Sequence, residues 1–357
     1  MKEQLTIDGR PITKEHPPYV VAEISGNHNG ELSQALELVS QAKTAGADAV
    51  KLQTYTPDTI TIDHYGPGFV IESGLWKGQS LYELYKKAYT PVDWHRPLFE
   101  HARELGITIF SSPFDPSAIE LLESLNSPAY KIASPEIVDV NLIEACAKTG
   151  KPLIVSTGMA TLEDIEGALT AANRAGAKHV ILLHCISAYP TPIDESNLST
   201  IHDLEKRFGY PVGLSDHTTD TCAATIAVGL GATLIEKHIT LSRTNGGVDN
   251  AFSLEPDEFR SLVMDTQLAH SALGKPQYAP QKSEKEMLFA RRSLYAVADV
   301  SEGEIFTQKN VRSIRPNLGL HPKYYNVILG KTATRNIKRG EPLAFSMVQD
   351  ASSKYSK

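Results

Sequence analysis

A (β/α)8 barrel followed by a small β-rich domain is the fold class that this sequence predicts. Three observations point to it. Eight short runs with β-forming composition recur at 19–24, 49–53, 107–111, 129–132, 153–156, 180–184, 212–215 and 233–237. Helical patterns separate most of them, and every run ends in small polar or charged residues. The runs themselves are almost continuously apolar, as parallel strands are when helices cover one face and a packed interior the other. A doubly wound open sheet is the alternative. It has less support, because no Gly-rich dinucleotide turn follows the first run.

In chain order, 1–18 is a short lead-in with a hairpin signal at Asp8-Gly9. Leu32, Ala35, Leu36, Val39 and Ala42 then recur at helix spacing until Gly46 ends the first helix. Leu162, Ile165, Leu169 and Ala172 repeat the pattern behind Thr161, which forms a capping-box signature with Asp164. Between the second and third runs lies an insertion from Thr54 to about Thr90, carrying Trp76 and Tyr82. An insertion of this length is either a lid that contacts substrate or a surface decoration. The last two of the eight runs fall within 212–240, joined by a helix near 221–230, and the last barrel helix is read at 259–273. The barrel is expected to span 1–274, a polar linker 275–286, and the small domain 287–357.

Composition excludes several function classes. A net charge of −7 argues against a nucleic-acid binder. No run is long and apolar enough for a membrane span, and the opening residues carry no apolar signal core. Cys146, Cys185 and Cys222 lack paired spacing, which suits buried thiols in a reducing cytoplasm.

The polar residues at the run ends suggest the chemistry. Glu23 and then Asn27, His28, Asn29 and Gly30 follow the first run, and Lys51 and Gln53 close the second. Ser111 and Ser112 end the third run. Lys131, Ser134 and Glu136 cluster at the fourth, and Ser156 and Thr157 at the fifth. Ser187 follows the sixth, Ser215 and His217 the seventh, and His238 the eighth. If the last two strands are neighbours, His217 and His238 emerge at one edge as a ligand pair for a divalent metal. Lys51 and Lys131 among serine hydroxyls make an anion pocket for phosphate and carboxylate, since a lysine inside a barrel strand is costly without an anion. Either lysine could instead form a Schiff base. Glu136 is a candidate general base or cation stabiliser, or else a surface carboxylate. Together these residues support metal-assisted carbon–carbon bond formation between a phosphorylated enol and an aldehyde.

The chain resembles the N-acetylneuraminate (sialic acid) synthase family over nearly its whole length. The motifs are Ala-Glu-Ile-Ser-Gly-Asn-His-Asn-Gly (22–30), Gly-Ala-Asp-Ala-Val-Lys-Leu-Gln (46–53), Ser-Ser-Pro-Phe (111–114) and Tyr-Lys-Ile-Ala-Ser (130–134). Ser-Thr-Gly-Met (156–159), Gly-Leu-Ser-Asp-His (213–217) and Ile-Glu-Lys-His (235–238) complete the set. Arg-Arg-Ser-Leu-Tyr-Ala (291–296) and Ile-Arg-Pro-Asn-Leu-Gly-Leu-His-Pro-Lys (314–323) resemble the family's antifreeze-like (SAF) domain.

The resemblance implies condensation of phosphoenolpyruvate with an N-acylated sugar in its open-chain aldehyde form. It implies that Lys51, Ser112, Lys131, Ser134, Ser156 and Ser215 hold phosphoenolpyruvate, and that His217 and His238 hold manganese or magnesium. Glu136 matches a carboxylate that helps water add, and Glu23 and Asp249 match residues near sugar and metal. Gln53, Ser187 and Tyr189 fall on the substrate side. Arg315 matches an arginine inserted into the partner's active site, implying a homodimer with swapped SAF domains. Ser187 departs from the asparagine of the neuraminate enzymes. Within the family, Gln-Thr-Tyr-Thr-Pro-Asp (53–58), the Trp76 region (74–85) and the form of the arginine loop (315–323) lean toward the pseudaminate-forming branch, with neuraminate or legionaminate formation as alternatives.

Overall fold

The computed structural model describes residues 4–350. The chain divides into two units, Met1–Gly274 and Lys275–Lys357.

In the first unit a two-stranded hairpin, β1 (Thr6–Ile7) and β2 (Arg10–Pro11), precedes the barrel. Its turn uses Asp8 and Gly9, both at positive φ, as a tight hairpin turn of the right twist requires. Eight parallel strands follow: β3 (Tyr19–Glu23), β4 (Ala49–Thr54), β5 (Thr108–Pro113), β6 (Tyr130–Ile132), β7 (Leu153–Ser156), β8 (Val180–Cys185), β9 (Val212–Asp216) and β10 (Leu234–His238). They pair in sequence, and β10 closes on β3 with His238 opposite Glu23, so the eight-stranded sheet is a closed barrel. All eight predicted runs are strands, with ends shifted by a residue or two.

The period of two sorts each strand into an inward and an outward set. Outward residues such as Val20, Val50, Ile132, Val155 and Leu182 pack against Leu38, Val39, Ile143, Leu169 and other helix residues. Inward residues at the N-terminal end, among them Tyr19, Val21, Ala49, Phe110, Ile154 and Leu234, form a separate apolar cluster. Ile7 and Ile12 from the hairpin join that cluster, so the hairpin seals the barrel floor.

Local signals act as expected at the helix ends. Gly46 ends Leu32–Ala45 in the left-handed conformation, and Thr161 and Asp164 form a reciprocal capping box on Leu162–Arg174. The helix between β9 and β10 is Cys222–Gly229, and the last barrel helix, Pro256–Leu273, begins earlier than its apolar pattern. The insertion contains two short helices, Pro57–Ile60 and Leu81–Ala88, joined by a loop whose two arms pair through the Val70–Ser80 bridge and backbone bonds such as Ile71 N–H to Gln79 and Leu81 N–H to Phe69.

The second unit is the small β-rich domain expected, built of short extended pieces. Its one named sheet pairs β11 (Ser293–Ala296) with β12 (Val311–Ile314), and isolated bridges such as Val300 to Ile337 and Ala333 to Val348 supply the rest. Turns at Gly303 and Gly340 interrupt the chain before longer strands can form. Leu294, Phe306, Val311, Ile328 and Leu343 make its core. The expected linker is also partly ordered, because Lys282–Ala290 winds into a 3-10 helix.

Candidate active site

The same alternation that packs the barrel floor places polar side chains inside its C-terminal end. Lys51 stands opposite Glu23 in the β3–β4 register, and Glu236 opposite Ser215 in β9–β10. Lys51 Nζ lies 2.5 Å from Glu23 and 3.4 Å from Glu236, and it donates to Ser112 Oγ at 3.2 Å. Gln53 donates to Glu23 at 3.1 Å, and Ser215 donates to Glu236 at 3.4 Å. All of these groups except the half-buried Gln53 are buried. Two carboxylates already supply a countercharge for Lys51 in this state, which offsets the cost of its burial.

Burial pulls the Lys51 ammonium down, but Glu23 and Glu236 outweigh it and hold it above its ordinary value. Burial and the neighbouring Glu236 charge push Glu23 up despite Lys51. Burial also opposes ionisation of Glu236, yet Lys51 and Lys131 together hold it below its ordinary value.

Lys131 is buried, donates to the Ile132 carbonyl at 2.9 Å, and is lowered by desolvation. Beside it, the Gly158 amide donates to Ser134 Oγ at 3.1 Å. A Cβ on Gly158 would come within 2.3 Å of Ser187 Oγ and 2.7 Å of Ser134 Oγ, so two hydroxyls crowd one backbone amide. The Ser156 hydroxyl and Glu136 Oε2 are buried with no partner. Burial pushes the Glu136 carboxyl up to about 7, against the charges of Lys131 and Lys51. Buried polar atoms without partners cost about 1–3 kcal/mol each, so their clustering at one rim marks a ligand site.

His217 and His238 come together, with ring centroids 5.4 Å apart. His217 Nδ1 donates to the Ile186 carbonyl at 3.0 Å, which leaves the lone pair on Nε2. His238 Nδ1 is buried without a partner, and burial holds this imidazole well below its ordinary value, hence neutral. Asp249 Oδ2 lies 4.0 Å from it. Among the described residues no set of three or more His, Cys, Asp and Glu side chains is arranged to hold an ion unaided. Burial pulls His217 down, but the neighbouring Cys185 outweighs it and raises this imidazole, whereas His238 stays neutral. With its Nδ1–H fixed on a carbonyl, His217 can offer Nε2 beside His238, so the two rings fit a ligand pair whose remaining positions come from substrate or water.

An aromatic wall borders the histidines. Tyr189 lies 4.5 Å from His217 and 5.1 Å from Phe252, and Trp76 of the insertion lies 5.4 Å from Tyr189 (centroid distances). The Trp76 indole donates to the Val248 carbonyl at 3.0 Å, tying the insertion to the loop that carries Asp249. The insertion thus reaches the site through Trp76. Tyr82 instead donates to Asp58 within the insertion.

Within the first unit the fold brings the predicted site residues of the barrel to one rim; Arg315, just beyond β12 in the second unit, is exposed. Ser111 also falls away from the others: it bonds Thr54 on the outward face at 2.6 Å. Sequence reasoning missed Glu236 and Cys185. Both lie an even number of residues from a predicted inward position, so strand parity was the signal that could have found them. Cys185 Sγ lies 3.8 Å from His217 Nδ1; burial opposes its ionisation, but His217 brings the thiol down to about 7. Cys222, expected buried, is exposed.

A closed parallel barrel whose C-terminal rim gathers buried lysines, carboxylates, a serine cluster and a histidine pair has the layout of an enzyme of the barrel class, whose active sites lie at that end. The chain belongs to the NeuB family, whose model matches residues 38–278, and a SAF domain model matches 291–349. It is 46% identical over 330 residues to the pseudaminic acid synthase of Helicobacter pylori, covering 92% of this chain and 97% of that protein. It is also 46% identical to the pseudaminic acid synthase of Campylobacter jejuni, covering 91% of this chain and 95% of that one. Among solved structures, N-acetylneuraminic acid (sialic acid) synthetase from Leptospira borgpetersenii, in complex with citrate, superposes with a TM-score of 0.71. It is 33% identical, over 81% of this chain and 96% of that one.

Proposed function

We infer that this chain is a pseudaminic acid synthase, joining phosphoenolpyruvate to 2,4-diacetamido-2,4,6-trideoxy-L-altrose with water to release pseudaminic acid and phosphate. The observation that carries this reading is the nearly full-length likeness to pseudaminic acid synthases in a chain whose barrel rim has the charges the reaction needs. Lys131 and Lys51, with Ser112, Ser134, Ser156 and Ser215, hold the phosphate and carboxylate of phosphoenolpyruvate. The Ser134–Gly158–Ser187 cradle supplies hydroxyl donors beside them.

His217 and His238, with Asp249 near, hold manganese or magnesium, which when bound polarises the sugar aldehyde as a Lewis acid. The enol carbon of phosphoenolpyruvate forms the new bond to that aldehyde carbon. The aldehyde C=O pair passes to its oxygen, which takes up a proton and becomes a hydroxyl. Glu136 takes a proton from the water that adds at the adjacent cationic carbon; the bond from that carbon to the phosphate oxygen then breaks as the added hydroxyl loses its proton and becomes the ketone carbonyl. Glu23 and Gln53 orient the sugar. The Trp76–Tyr189–Phe252 wall gives the sugar's deoxy methyl end an apolar surface. Arg315 is exposed in the second unit and reads the N-acyl oxygen from the partner's side of a homodimer.

Purified protein with manganese and a panel of N-acylated aldoses tests this reading by phosphate release. The altrose derivative should be the preferred substrate. Preference for N-acetylmannosamine or the legionaminate precursor would overturn the substrate assignment. The desolvated Lys131 favours a Schiff-base mechanism as the competing chemistry. Borohydride trapping of substrate on Lys131, with activity surviving a chelator, would establish it instead.

A further inference from the structure

The reaction as described uses His238 from β10, Ser215 from β9 and His217 directly after it, and Glu236 pairs with Lys51 on the same inward side. The residues between them, Asp216 and Lys237, face the other way, and nothing above assigns them a role. Both are buried, and Lys237 is one of the largest fully buried side chains in the chain.

Lys237 Nζ contacts Asp216 Oδ2 at 2.7 Å, the Thr218 carbonyl at 2.6 Å, Thr218 Oγ1 at 3.1 Å and the Asp220 carbonyl at 2.9 Å. Asp216 Oδ1 also accepts from the Thr218 amide at 2.9 Å. The two residues are register partners in the β9–β10 ladder. Each is the immediate chain neighbour of one histidine: Asp216 precedes His217, and Lys237 precedes His238.

A buried ion pair is a poor source of stability, because desolvating both charges offsets most of their attraction. An apolar pair of similar volume behind these strands would pack at least as well. What the pair supplies is geometry. One ammonium gathers a carboxylate and two loop carbonyls, which holds the 216–220 loop against β10 at the place where His217 leaves the sheet.

We propose that Lys237 and Asp216 form a clamp that sets the spacing of His217 and His238 from behind the sheet, as positioning residues for the metal pair. The proposal rests on the metal reading above. Groups hydrogen-bonded directly to metal-ligating histidines influence metal affinity by about 10–100-fold, which is the upper bound for a clamp that acts through the adjoining backbone. The test uses the full-length protein. Manganese binding is titrated calorimetrically for wild type, Lys237→Met, Asp216→Asn and the milder Thr218→Val, with a thermal melt of each.

Lys237→Met and Asp216→Asn should weaken manganese binding by about 10-fold, the lower end of that range. Thr218→Val, which removes one bond to Lys237, should weaken it less. Turnover in the folded variants should be restored by raised manganese, with the KM for phosphoenolpyruvate unchanged. Folded variants that bind manganese like wild type would overturn the clamp. If Lys237→Met does not fold, Asp216→Asn and Thr218→Val decide on the same criterion. Wild-type protein that binds no manganese would instead overturn the metal reading on which the clamp depends.

Discussion

The two ends of the barrel interior are built from the same strands at the same two-residue period, yet they have opposite character. At the floor, Tyr19, Val21, Phe110, Ile154 and Leu234 close over Ile7 and Ile12 of the hairpin. Two residues further along the same strands, the inward positions become Glu23, Ser112, Ser156 and Glu236, all buried. The floor gains stability from every apolar atom it buries. The rim gives up that gain and holds charges whose mutual compensation leaves it ready for an anionic ligand. Stability and chemistry are thus separated along the barrel axis by one strand period.

Variants can break or sharpen that contrast. The largest effect expected is at the rim: His217→Ala and His238→Ala should each abolish metal-dependent phosphate release while the melting of the metal-free protein shifts little. Retained turnover in both would remove the ligand assignment. At the floor the pattern should invert. Phe110→Ala should cost about 3–5 kcal/mol of unfolding free energy, read by denaturant titration, with the kcat of the folded fraction preserved.

Lys51→Met should cross the divide, because it strands Glu23 and Glu236 without their countercharge. It should destabilise by about 3–5 kcal/mol and also weaken phosphoenolpyruvate use. A variant that keeps full stability would show that the carboxylates take up protons instead.

Smaller effects refine the rim. Glu136 is protonated below about 7, so turnover that needs its carboxylate should rise as pH passes through that value, and Glu136→Gln should flatten the profile. The sign for stability is opposite. Because burial raises this carboxyl above its ordinary value, its contribution to folding is fullest at acid pH and is lost as pH rises through about 7. Arg315→Ala should raise the sugar KM by about 10–100-fold, the loss of one charge-assisted hydrogen bond, with the phosphoenolpyruvate KM unchanged. Equal sugar kinetics would remove its proposed role across the dimer.

Much of this architecture was legible in the chain itself. Strand positions followed from apolar runs, and helix ends from residues such as Gly46 and Thr161, because these signals act over a few neighbours. The polar run ends marked the rim for the same reason. What the runs concealed was partnership. Glu236 sits inside a motif that reads as strand filler, and only barrel closure brings it within 3.4 Å of Lys51. The same holds for Cys185 beside His217, and for Trp76, whose neighbour Val248 is 172 residues away along the chain.

By itself, then, the sequence determined the alternation of strand and helix, the inward parity of the polar residues and the family to which they belong. Tertiary structure alone decided that Lys51 is neutralised by two carboxylates, that Ser111 turns outward while Ser112 turns in, and that Lys237 grips the loop behind His217. The physical reason is range. Backbone preference and side-chain period act between near neighbours, whereas the pairing of charges depends on which strands the closed sheet places side by side.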